Sequence, residues 1–172
     1  MTSDANTNSR NVVAIANKFE DEWQFPNCIG AINGKHVEIT CPPKSGSAYH
    51  NHMCYFSVVL LAVVDAENSF VAVDIRDLGS NSDGVIFSQS AFGLANTNNL
   101  HIPPGRTLPG MLPAYKIPLV LIAEEAFPLQ ENMLCPYSGR KTMSLPPRED
   151  EFNFWLSRAR RIIENAFGIL TQ

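Results

Sequence analysis

The chain has 172 residues, 45% of them hydrophobic, and a net charge of −4. That is enough apolar material for one sizeable core in a single α/β domain, and too little positive charge for a global field that attracts nucleic acid. The four cysteines form no CxxC pair, no secretory signal pattern opens the chain, and no apolar run approaches the ~20 residues that cross a bilayer. A reduced, intracellular protein without a membrane span is expected.

Residues 1–10 are small and polar and are expected to fray, so that residues 1–18 form a polar tail running into the start of a helix. Val12, Ile15, Ala16, Phe19 and Trp23 then recur at helical spacing up to Phe25-Pro26. Cys28 to Asn33 reads as a short buried strand closed by the turn-forming pair Asn33-Gly34, with Val37 to Thr40 resuming it. Two β-branched and aromatic runs, Tyr55 to Val64 and Phe70 to Ile75, flank Asp65-Ala66-Glu67-Asn68-Ser69 and predict an antiparallel hairpin.

Ser82 or Asp83 then caps a helix through Phe87, Ala91 and Leu94, and residues 96–116 make a long surface connection. An apolar strand from Pro118 to Ala123 ends in Glu124-Glu125, and a basic amphipathic helix runs from about Glu149 to Leu170. Strands first and alternating elements later predict a mixed sheet with helices packed on it, as in ribonuclease H-like folds.

The chemistry concentrates in the last third. A carboxylate at the end of a buried strand, Glu124, and another on a later helix, Glu164, are how many nucleases assemble a site for two divalent ions. The competing reading is a solvated helix face with Arg161 and Glu164 paired at i,i+3. Asp83 is a spare carboxylate, either a metal ligand or a helix cap. Lys35 and His36 either touch a phosphate or are ordinary turn residues, and Arg158, Arg160 and Arg161 either contact a DNA backbone or line a solvated face. His50, His52 and Cys54 alternate near Cys41, but they lack the paired spacing of a zinc site.

Four segments in order, Trp23 to Val37, Gly79 to Gly84, Glu124 to Leu129 and Leu156 to Gly168, resemble the DDE endonuclease domain of PIF/Harbinger-type transposases and their domesticated relatives. The resemblance runs from Phe19 to Leu170 and assigns residues 19–172 to one domain, truncated at its C-terminus. It implies a ribonuclease H-like fold in which two Asp and one Glu hold two Mg²⁺ or Mn²⁺ ions. Carried over, the first Asp falls at Asn33, the second at Glu124, and the Glu at Glu164.

The departures have physical weight. An amide keeps the shape of a carboxylate but has no charge and one acceptor oxygen, so Asn33 bridges two dications poorly. Glu124 keeps the charge but shifts it by a methylene, and misplacements near 1 Å cost about a hundredfold in rate. Met53-Cys54 stands where the family has Lys-Gly, and Arg76 and Val85 each replace a glycine.

The expectation is therefore a Harbinger transposase-derived, metal-dependent DNA nuclease domain with impaired catalysis, its metal lost or reduced to a single ion. The alternatives are an inactive DNA- or protein-binding module and a non-functional gene fragment, since no helix-turn-helix precedes the core. DNA would be held weakly by the local basic clusters, with a protein partner supplying sequence specificity. The expected location is the nucleus, and also the cytoplasm.

Overall fold

The computed structural model describes residues 3–78, 80, 83–90, 102–108, 110–139 and 145–172, with side chains described for these except in residues 3–10, 76–78 and 83. In chain order the elements are α1 (Ser3–Trp23), β1 (Cys28–Glu38), β2 (Ser57–Val64), β3 (Phe70–Leu78), α2 (Asp83–Gln89), β4 (Val120–Ile122), β5 (Met133–Leu134) and α3 (Pro147–Leu170). The five strands form one sheet in the order β3-β2-β1-β4-β5. β3-β2-β1 is antiparallel and β1-β4-β5 is parallel. This is the mixed, helix-flanked sheet expected of a ribonuclease H-like fold.

Helix α1 starts well before the expected Val12. Its packed half, with Ala16 and Phe19 buried and Ile15 and Trp23 against the core, supplies the nucleus. Adding polar turns to an existing helix costs little per residue. The helix ends where Gln24 turns to φ 55 and the Phe25 amide donates to the Phe19 carbonyl at 3.1 Å.

The predicted turn at Asn33-Gly34 does not form. Asn33 pairs with Ala62 and Gly34 with Leu61 inside an unbroken β1. A turn-prone dipeptide is a local preference, and a run of ladder hydrogen bonds to β2 outweighs it. The hairpin does form, its turn set by Asp65, whose Oδ1 accepts from the Glu67 and Ser69 amides at 2.8 and 2.9 Å. The short strand β5 was not anticipated: two residues carry too little pattern to be seen. Of the helix predicted from Asp83 to Leu94, α2 covers Asp83–Gln89, and residues 91–100 lie outside the described part.

Two apolar layers sandwich the sheet. One face meets α1 and α3 through Phe19, Ala31, Leu60, Ala62, Ile122, Leu156, Ile162, Ile163 and Phe167. The other meets α2 through Ile32, Val59, Leu61, Val63, Leu121, Ile86 and Phe87. Helix α3 earns its place by a stripe at i,i+3/i+4 spacing, Leu156, Ala159, Ile162, Ile163, Ala166 and Phe167, all buried. Each of its large aliphatic side chains contributes ~1.5–3 kcal/mol of gross burial. Pro147 at the first helical position and Glu149 and Asp150 in the first turn suit its N-terminus.

Candidate functional site

In sheets with parallel strands, ligand sites gather beyond the carboxyl ends of the strands. β1 and β4 are such a pair, with Ala31 opposite Ile122. Ala31 and Ile122 both face α3. Asn33 lies two residues past Ala31 within β1, and Glu124 lies two residues beyond the end of β4, so both stand at the carboxyl end of this parallel pair. Positions 33 and 124, 91 residues apart in the chain, are thus carried to the same end of the sheet.

Helix α3 supplies the third member. Arg160 and Glu164 lie one turn apart, and a single guanidinium nitrogen, Nη2 of Arg160, donates to Glu164 Oε1 at 3.4 Å and to Glu124 Oε2 at 3.3 Å. The arginine side chain is only 15% exposed, against 31% for Glu124 and 59% for Glu164, so the positive charge lies innermost. Its Nε–H is buried without an acceptor among the described residues. A donor left dry in this way costs on the order of 1–3 kcal/mol.

Asn33 offers little to a ligand as it stands. Its Oδ1 accepts from the Gly34 amide at 2.9 Å. The pleat separates the next two candidates: Lys35 shares Asn33's face, its Nζ 5.8 Å from the Phe167 ring centroid. His36 points to the opposite face, where Nδ1 meets Ser57 Oγ at 2.9 Å and the ring lies edge-on to His52.

Ser57 Oγ also accepts from Asn51 Nδ2 at 2.9 Å, and Asn51 Oδ1 receives the Met53 and Tyr55 amides. This buried network shapes the loop before β2 and forces Cys54 to φ 66, the left-handed region that suits glycine. No pattern in the sequence announces the network. The expected glycine at position 54 was its one trace.

Arg158 is engaged elsewhere, donating to Gln24 Oε1 at 3.0 Å and lying over the Trp155 ring at 5.2 Å. Arg161 is exposed and, with Asp150, Asn153, Ser157 and Glu164, lines a broad depression of about 840 Å³ along α3. The pairing foreseen between Arg161 and Glu164 is made by Arg160 instead, because i,i+4 neighbours face each other more squarely. That spacing was visible in the sequence and was the signal for Arg160.

Asp83 opens α2, and its side chain lies outside the described part. Its neighbour Gly84 shows how near this helix comes: a Cβ there would sit 2.7 Å from the Ala126 carbonyl oxygen, two residues past Glu124. Only glycine lets α2 begin so close to the strand end.

Cys135 flanks the centre. Burial pushes its thiol up, and the charge of Arg160 partly opposes this. Among the described residues no group of three or more His, Cys, Asp or Glu side chains is placed to hold a metal ion, the His50, His52, Cys54 alternation included. No helix in the described residues is long and apolar enough to cross a membrane.

Comparison with known proteins agrees with this architecture. The family described as DDE superfamily endonuclease matches residues 32–172. "Protein ALP1-like" of Arabidopsis thaliana is 31% identical over 166 residues, covering 91% of this chain and 38% of that protein. The chain therefore spans well under half the length of this relative. No solved structure matches.

Proposed function

The chain belongs to the DDE superfamily of endonucleases, and on that premise we propose that it is a Harbinger transposase-derived domain directed at DNA phosphodiesters whose hydrolytic centre is impaired. Members of this superfamily generally depend on divalent metal, which activates water and stabilises the leaving oxygen. The described residues do not fit a two-ion centre. Position 33 carries a neutral amide whose Oδ1 accepts from the Gly34 N–H, and a guanidinium lies across the two glutamates.

The single observation that carries the reading is the neutral amide at position 33 in β1, its oxygen engaged by the Gly34 N–H. A bridging ligand between two cations must bring charge and two oxygens, and an amide brings neither. Glu124, Glu164 and Asp83 remain as donors for at most one Mg²⁺ or Mn²⁺ ion. Of the four residues expected to meet DNA phosphates, Lys35 and Arg161 stay in that role, while His36 faces Ser57 across the sheet and Arg158 is turned to Gln24; binding is weak because the chain's net charge is −4. Sequence specificity comes from a protein partner, and the place of action is the nucleus.

The test is nicking of supercoiled DNA in Mn²⁺. The unaltered chain is expected to cut at or near background, Asn33→Asp to raise the rate roughly ten- to a hundredfold, and Glu164→Ala to abolish what Asn33→Asp restores. Robust magnesium-driven cutting by the unaltered chain would overturn the reading.

A second reading, an inactive DNA- or protein-binding module, draws on the Arg160 bridge, which joins α3 to the end of β4 without any metal. It predicts DNA binding that is unchanged by chelator and falls steeply with salt.

A further inference from the structure

We propose that Arg160 is a resident cation of the acidic centre, holding Glu124 and Glu164 in the place a divalent ion would need, so that metal enters only by displacing the guanidinium. The inference goes beyond the proposed function and stands whether the domain cuts DNA or merely binds it.

Geometry comes first. One nitrogen of Arg160 touches an oxygen of each glutamate, at 3.3 and 3.4 Å. A divalent ion shared by the same carboxylates would draw oxygens to about 2.0–2.6 Å, within the space the guanidinium fills. Like charges exclude each other there, and leaving would cost Arg160 its contacts with both glutamates.

The neighbouring arginines underline the difference. Arg158 is turned to Gln24 and Trp155, and Arg161 is exposed. Arg160 alone of the three lies between the carboxylates.

The choice of arginine has a consequence for control. A lysine in such a site can lose its proton as burial lowers its pKa, whereas a guanidinium stays charged at any physiological pH. Proton uptake or release by residue 160 therefore cannot open the centre to metal. With Asn33 neutral, two glutamates and one arginine sum to −1, where three carboxylates and the same arginine would sum to −2.

The experiment is calorimetric titration of the full chain with Mn²⁺ alone, without DNA, beside Arg160→Gln and the double variant Arg160→Gln/Glu164→Gln. The unaltered chain is expected to bind weakly. Arg160→Gln should bind roughly tenfold tighter or more, with its melting temperature raised by Mn²⁺, and the double variant should lose that gain.

Equal affinity in the unaltered chain and Arg160→Gln overturns the proposal, as does a gain that survives Glu164→Gln. Should Arg160→Gln fail to fold, Arg160→Lys decides. Its ammonium reaches one carboxylate less squarely, so a smaller tightening is expected and no tightening refutes. Because binding is the readout, loss of this inference is distinct from loss of the nuclease reading, which stands on cleavage.

Discussion

Each end of the β1–β4 pair holds an arginine against carboxylate, and the two ends use it differently. At the amino ends, Arg106 donates through Nε to Asn27 Oδ1 at 2.6 Å, through Nη1 to Asn17 and through Nη2 to Glu20 at 3.0 Å. Asn27, buried and held at φ 62, donates in turn to the Ile117 carbonyl at 3.0 Å. At the carboxyl ends, Arg160 spends one nitrogen on two longer contacts and leaves its Nε–H without an acceptor among the described residues. The first arrangement satisfies its donors and is architecture. The second leaves a buried donor unmet among the described residues.

The sharpest way to break this contrast is to remove each arginine. Arg106→Ala is expected to destabilise by about 3 kcal/mol, because Asn27 and Glu20 lose a charged donor at a partly buried site. Arg160→Gln should cost about 1 kcal/mol, since longer, partly exposed ion pairs contribute little. Urea unfolding of both variants checks this, and equal losses would dissolve the distinction.

A second prediction probes the amino end through Cys28, which pairs with Val120 and is fully buried. Burial pushes its thiol far up from the ordinary value of 9.0. Below that value both folded and unfolded chains hold the proton, and stability is unaffected. Above it only the unfolded chain ionises, so stability falls as pH rises, by about 1.4 kcal/mol per pH unit. Cys28→Ala should lower stability at neutral pH yet flatten the alkaline decline; melting curves from pH 8 upward that stay parallel to the parent's would count against it.

The smallest effect belongs to the carboxyl end. Cys54 pays for a left-handed backbone that glycine adopts freely. Cys54→Gly is therefore expected to stabilise by about 1 kcal/mol, read as a rise in melting temperature. A drop would mean that the thiol makes a contribution its exposed position does not account for.

Much of the fold was legible because it rests on periodicity. The β-branched and aromatic runs Tyr55 to Val64 and Phe70 to Ile75 announce strands, and the stripe from Leu156 to Phe167 announces a helix that must bury one face. The carboxylates at 124 and 164 were legible by position, one at a strand end and one on the last helix. The turn read at Asn33-Gly34 failed because tertiary pairing with β2 outweighed a two-residue preference. Lys35 and His36, adjacent in the chain, were separated by the pleat onto opposite faces of the sheet.

Residue pattern alone decided most of the element types, since these follow from short-range spacing, while the family and Asn33 as a candidate came from resemblance to known motifs. Only the folded chain decided that Arg160 meets Glu124 as well as Glu164, and that Arg106 locks the opposite end through Asn17, Glu20 and Asn27. Those outcomes depend on the direction of long side chains across elements up to 89 residues apart. Local pattern carries no information at that range.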